Sequence, residues 1–158
     1  MNMHFLTMTL AFVMAVAGIN TQPTVNTQLE IKENFQPVKT IIINSNDQMR
    51  FDKDEIRVKA GEKIRLTLNH TGKLPKNAMG HNFVLLEAGT DVAKFGQLAM
   101  NAKATEYIPE NGVLAHTKLI GGGESTTIEF TAPKKGTYDF VCSFPGHYAI
   151  MKGKFIVE

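Results

Sequence analysis

Three potential metal ligands near the end of the chain constrain it most. Cys142, His147 and Met151 stand at spacing C-x4-H-x3-M, between the apolar run Tyr138-Asp-Phe-Val141 and a second run, Lys154-Phe-Ile-Val-Glu158. Pro145-Gly146 between them forces a turn. A strand, a tight loop and a returning strand can bring a thiolate, an imidazole and a thioether round one point. One further imidazole would complete a mononuclear copper site with a weak axial sulfur. The chain offers a candidate far upstream, His81 in Met79-Gly80-His81-Asn82.

Cys142 is the only cysteine of the 158 residues, so no intramolecular disulfide forms and C-x-x-C zinc or redox motifs are excluded. Residues 1–17 read as a secretory signal peptide. Leu6 to Ala17 is apolar and Ala15-Val-Ala17 is a small-residue cleavage site, although the residues before it hold no Lys or Arg. Cutting after Ala17 implies a periplasmic protein. The apolar run is shorter than the roughly 20 residues a spanning helix needs, so no stable membrane insertion is expected. In an oxidising compartment a lone thiol is a hazard, and a metal that holds it as a buried thiolate removes that hazard. Residues 18–37 are polar and aperiodic and read as a flexible leader. A net charge of +2 with no basic run argues against nucleic acid.

From Val38 on, short β-rich runs follow one another. Thr40 to Ile43 is continuously apolar, while Glu55 to Val58 and Lys63 to Leu68 alternate with period two round a turn at Ala60-Gly61-Glu62. Further strands are expected at His81 to Leu86, Val113 to Ile120, Ser125 to Phe130, Thr137 to Cys142 and Ile150 to Val157. Residues 91–102 have helical spacing, with Val92, Phe95, Leu98 and Ala99 on one face and Thr90 or Asp91 as cap. About eight strands with one short helical insertion make an all-β Greek-key sandwich or barrel over residues 38–158.

The segments Asn46-Asp-Gln-Met49, Leu74-Pro-Lys-Asn77, Met79-Gly-His-Asn82, Ala115-His-Thr-Lys-Leu-Ile-Gly121 and Cys142-Ser-Phe-Pro-Gly-His147 with Met151-Lys-Gly153 identify a resemblance. In this order they resemble the azurins, blue-copper proteins of the cupredoxin class. The resemblance implies one type 1 copper with His81, Cys142 and His147 as trigonal ligands. Met151 would be a long axial ligand and the Gly80 carbonyl a second distant one. It implies that Asn82 ties the two ligand-bearing loops together and that the Phe144 N–H bonds the Cys142 sulfur. Met49, Leu74, Met79, Met100, Phe144, Pro145 and Ile150 would form a soft apolar patch round His147 for brief docking with redox proteins, such as c-type cytochromes or copper or haem reductases. His70 would lie near the metal, lowering the reduction potential as it loses its proton. His116, on an alternating strand, is expected to face solvent and is not a ligand candidate.

The chain also departs from that family. Many azurins carry a disulfide near the start of the domain, where Lys39 and Gly61 stand here, and a tryptophan where this chain has Phe83. The implied activity is electron transfer, with periplasmic copper storage or delivery as the alternative. Scattered methionines favour the carrier, since delivery sites usually cluster exchangeable Met or Cys. Catalytic metals keep an open position, whereas the ligands here fill the shell, so no enzymatic role is expected. A binuclear copper site would need a second cysteine at position 146, which is glycine.

Overall fold

The computed structural model describes residues 37–158. The signal peptide expected over 1–17 and all but the last residue of the leader expected over 18–37 lie outside them. Two sheets face each other. The first has the order β2 (Arg50–Phe51), β1 (Val38–Asn46), β4 (Lys63–His70), β7 (Ser125–Thr131). The second has the order β3 (Glu55–Val58), β9 (Lys152–Val157), β8 (Gly136–Val141), β5 (Val84–Leu86), β6 (Val113–His116). Strand β1 runs parallel to β4, from Val38 beside Lys63 to Ser45 beside His70, and β3 runs parallel to β9. Among the described residues no helix is long and apolar enough to cross a membrane.

The period-two alternation read from the sequence sets the core. Ile43, Leu66 and Leu68 from the first sheet meet Leu85, Phe140 and Phe155 from the second and Phe83 just before β5, and all are fully buried. Phe83 lies 5.2 Å from the Phe140 ring, so an aromatic fills the place the missing tryptophan would take. Ile42, inside the continuous apolar run, is 50% exposed. That run therefore lies in a sheet with one solvated face, not in one covered on both sides. The doubly covered strand is β5, whose three residues are all buried. Its outer face packs, with Val141, under Phe95 and Val92 of helix α2 (Val92–Met100).

Asp91 caps α2, its carboxylate accepting from the N–H groups of Ala93 and Lys94 at 2.9 and 3.0 Å. The buried stripe is Phe95, Gly96 and Ala99. Leu98, expected on it, is exposed, because it lies well round the helix from the line through Phe95 and Ala99. A four-residue helix α1 (Lys76–Met79) was not expected, and the two-residue β2 raises the strand number among the described residues to nine. Two expected strands start late: β5 begins at Val84, not His81, and β9 at Lys152, not Ile150. A third stops early, at His116, and Ile120 is left to pair with His81 as a single bridge. The His116 side chain is exposed, as its strand pattern suggested.

The chain crosses from the edge of one sheet to the edge of the other between β2 and β3. There Lys39 reaches over the seam and its Nζ donates to the Arg57 carbonyl of β3 at 2.6 Å. A lysine thus links β1 to β3 beside the position where many azurins are cross-linked.

Phe140 touches Phe51, Phe83 and the backbone at Gly153, at the centre of the barrel. Phe140→Ala should cost about 3–5 kcal/mol, read as a lower denaturant midpoint of the metal-free protein. A loss below 1 kcal/mol would contradict this account of the core.

Candidate metal centre

The loop between β8 and β9 is a hairpin closed by its backbone. Cys142 N–H donates to the Met151 carbonyl at 2.9 Å, and Met151 N–H donates to the His147 carbonyl at 2.8 Å. Inside it, Phe144-Pro145-Gly146-His147 is a type II turn. His147 N–H donates to the Phe144 carbonyl at 3.0 Å, Pro145 takes the second position, and Gly146 takes the third at φ 83°. Only glycine adopts that left-handed conformation without strain. The sequence thus folds a ten-residue segment so that Cys142 and His147 face one point.

The second loop, before β5, brings His81 to the same point. His81 is held through its backbone by paired bonds with Ile120, each 2.9 Å. Asn82, the next residue, fastens the two loops: its carbonyl oxygen accepts from Ser143 N–H and its amide donates to the Ser143 hydroxyl, both at 2.8 Å. All four residues, His81, Asn82, Cys142 and Ser143, have no solvent exposure.

The donor atoms form a small triangle. Cys142 Sγ lies 3.8 Å from His81 Nδ1 and 3.6 Å from His147 Nδ1, and the two nitrogens are 3.2 Å apart. A point equidistant from all three is about 2 Å from each, close to a metal–imidazole bond and a little short of a metal–thiolate bond. Among the described residues this is the one cluster of such ligands. The Gly80 carbonyl oxygen lies 3.9 Å from the sulfur. Met151 is buried against Cys142, Leu119 and Phe144. A side chain at Gly80 would strike the Lys76 carbonyl and Leu119, so glycine is required for the close approach of this loop.

Hydrogen bonds fix which nitrogen of His81 is available. Its Nε2 is 2.9 Å from the Asn46 carbonyl, which can only accept, so Nε2 carries the hydrogen and Nδ1 turns a lone pair towards the sulfur. His70 stacks on His81 with ring centroids 4.4 Å apart. Its Nε2 donates to the Met79 carbonyl at 2.9 Å and its Nδ1 accepts from Gly72 N–H at 3.0 Å. His70 is therefore a buried wall of the site, not a solvated turn residue. The Asn46 carbonyl carries no mark in the sequence, and for His70 the resemblance implied a place near the metal but not the stacking on His81.

Burial pushes the Cys142 thiol up to about 12, against the pull of the Asn82 and Phe144 N–H groups on the sulfur. Burial likewise holds both imidazoles down at about 4. For His81 the Asn46 carbonyl opposes this, and for His147 the neighbouring His81 and His70 add to it. A neutral thiol beside two neutral imidazoles stores no charge of its own. A soft cation that displaces the thiol proton is the species this donor set fits.

The expected patch residues divide by exposure. Leu74, Met100 and Ile150 are exposed; Met49, Met79 and Pro145 are half-buried; Phe144 is buried at the edge of the metal loop. His147 is 4% exposed, whereas Cys142 and His81 have no exposure, so of the three donor residues it alone reaches the surface. Tyr148, the next residue, lies on helix α2 at Gly96, where any side chain would collide with its ring.

A family model described as copper binding proteins, plastocyanin/azurin family, matches residues 38–158. The outer membrane protein H.8 of Neisseria gonorrhoeae is 44% identical over 117 residues, which are 71% of this chain and 63% of that protein. The chain thus spans less than two thirds of that relative's length. The azurin of Bordetella pertussis is 42% identical over 120 residues, 72% of this chain and 80% of that protein. Among solved structures, the dithionite-reduced auracyanin of Roseiflexus castenholzii superposes with a TM-score of 0.69 at 40% identity, over 75% of this chain and 96% of that one. Auracyanin A of Chloroflexus aurantiacus, described as a "blue" copper protein, gives 0.71 at 31% identity, over 77% of this chain and all of that one.

The depressed imidazoles set a pH window for the metal-free protein. An unfolded histidine takes its proton near pH 6.5 and these two only near 4. Between those values the unfolded chain binds more protons, so stability falls as pH drops from 6.5 to 4 and is level in this respect above 6.5. Urea midpoints across that range should show the fall. A midpoint that stays constant from pH 7 to 4 would contradict the assignment.

Proposed function

The chain belongs to the plastocyanin/azurin family of copper-binding proteins, with copper as its cofactor, and from that premise we propose that it is a one-electron carrier, not an enzyme. The observation that carries this reading is the buried triangle of Cys142 Sγ, His81 Nδ1 and His147 Nδ1. Those three would be the strong ligands. Met151 and the Gly80 carbonyl would be the distant ones on either side. Copper bound there supplies a Cu(I)/Cu(II) couple, for which thiolate and thioether suit one state and imidazole the other.

The protein's part is to keep the ligands still. The Cys142–Met151–His147 backbone bonds pin one loop, and the Asn82 amide locks it to the other. Ligands held from both sides cannot follow a change of charge, so little reorganisation accompanies each electron. The Asn82 and Phe144 N–H groups draw charge off the sulfur and raise the potential. Electrons would pass at the His147 edge, among Met49, Leu74, Met79, Met100, Phe144, Pro145 and Ile150. An apolar rim of this kind favours short-lived docking with c-type cytochromes or with copper or haem reductases, in a periplasmic setting.

Adding Cu(II) to the purified protein should produce an intense blue colour, which Cys142→Ser should abolish. A colourless cupric protein, or a site that prefers zinc, would overturn the carrier reading. Met79→Lys should slow electron self-exchange between two copies of the protein about tenfold, by setting like charges on the apolar faces that meet, while leaving the visible spectrum unchanged. A shifted spectrum with normal exchange would count against the patch.

A further inference from the structure

Beside Phe144 of the metal loop the surface holds an open cleft. Its floor is Tyr107, Leu119 and Phe144, and Lys76 and Lys103 stand at its rim with Glu106. The floor is continuous with the metal site through its rings. Tyr107 meets Phe144 edge-on with centroids 5.3 Å apart, and Phe144 lies 4.7 Å from the His147 ring. A molecule seated in the cleft therefore rests on a ring that touches a proposed ligand.

The charges at the rim are unbalanced in what they offer a visitor. Glu106 stands between the two lysines with its side chain 42% exposed. Its Oε2 accepts from Leu119 N–H at 3.0 Å and its Oε1 lies 3.6 Å from Lys76 Nζ. Asp47, the nearest acid on the other side of the Lys73–Met79 segment, is engaged in the same way, accepting from Lys73 N–H at 2.8 Å and Leu74 N–H at 3.3 Å. The exposed run from Thr71 to Ala78 contains Lys73 and Lys76 and no acidic residue. Three lysines, Lys73, Lys76 and Lys103, therefore stand against two carboxylates that keep their charge, Glu106 being paired with Lys76, and the ammonium groups of Lys73 and Lys103 make no ion pair among the described residues. What projects is apolar floor with positive charge round it.

We propose that this cleft is the docking point for an acidic redox protein, whose carboxylates meet Lys76 and Lys103 while an apolar side chain covers the Tyr107–Phe144 pair. The proposal rests on the electron-carrier reading and adds to it the charge of the partner. The apolar patch supplies tolerance, and the lysine rim supplies orientation and a salt-dependent association rate. Complementary charge of this kind weakens as salt shortens its reach to under about 10 Å.

The test uses the copper(I)-loaded protein, which is diamagnetic, and follows its backbone amides by NMR on titration with an acidic plant-type [2Fe–2S] ferredoxin. A basic mitochondrial cytochrome c is titrated in parallel. The amides of Lys76, Lys103, Tyr107 and Leu119 should respond first to the ferredoxin and not to the cytochrome. Affinity should fall on the order of tenfold in the double variant Lys76→Gln, Lys103→Gln, whose unchanged visible spectrum in the cupric form would show the metal site intact. Added salt should weaken the native protein's binding and have less effect on the variant. Ferredoxin binding that is equal in both proteins, or that maps to the Ile150 side, would overturn the proposal. The mapping needs no electron to move, so its failure would leave the carrier reading standing, whereas a colourless cupric protein would remove the carrier reading itself.

Discussion

A sulfur and two imidazole nitrogens are held within 3.8 Å of one another where water does not reach. A proton on one ring can answer the lone pair of the other, but it leaves the sulfur as a neutral thiol with no charged partner. A soft cation answers all three at once, and its charge is what makes a thiolate affordable in so apolar a setting. The packing round the site keeps that triangle closed. The loop between β8 and β9 is pinned by its own backbone, the His81 loop is pinned to Ile120, and Asn82 joins them. The barrel beneath serves as a fixed base, because β5 and β8 carry the two loops from neighbouring positions in one sheet.

Helix α2 stiffens the outside of the site. It exists because β5 is apolar on both faces and needs cover on the side away from the core. Gly96 is the point where it meets the metal loop, through the ring of Tyr148. Removal of the side chain at one helical position, at a helix-propensity cost of about 1 kcal/mol, lets the residue after His147 pack flat.

How much of this could be read beforehand depended on whether the signal was local. The Cys142–Met151 loop is ten residues long and declares itself through ligand types and Pro145-Gly146. The alternating strands declare themselves through period two. His81 lies 61 residues from Cys142, and spacing alone does not link them; similarity of the segments Met79 to Asn82 and Ala115 to Gly121 to a known family did. Elements that depend on distant partners were not visible. A two-residue β2 and a four-residue α1 are too short to carry a period. Leu98 is grouped with Phe95 by its three-residue spacing, yet that step carries it to the far edge of the stripe, and it is exposed. The Asn46 carbonyl orients His81 as a main-chain atom, which any side chain could accompany. The resemblance sets His70 near the metal, but the bonds that hold its ring come from the loop between Gly72 and Met79, which spacing does not reveal.

The seam between β1 and β3 is bridged by Lys39 instead of a covalent cross-link. Such an exposed bond contributes little to stability, on the order of 1 kcal/mol, so the barrel rests on its packing. It leaves Cys142, buried and alone, with no thiol to pair with. A chain built in this way matures without a thiol-oxidising helper. No intramolecular pairing competes with the metal, and once the barrel has folded, burial shelters the sulfur until an ion arrives to claim it.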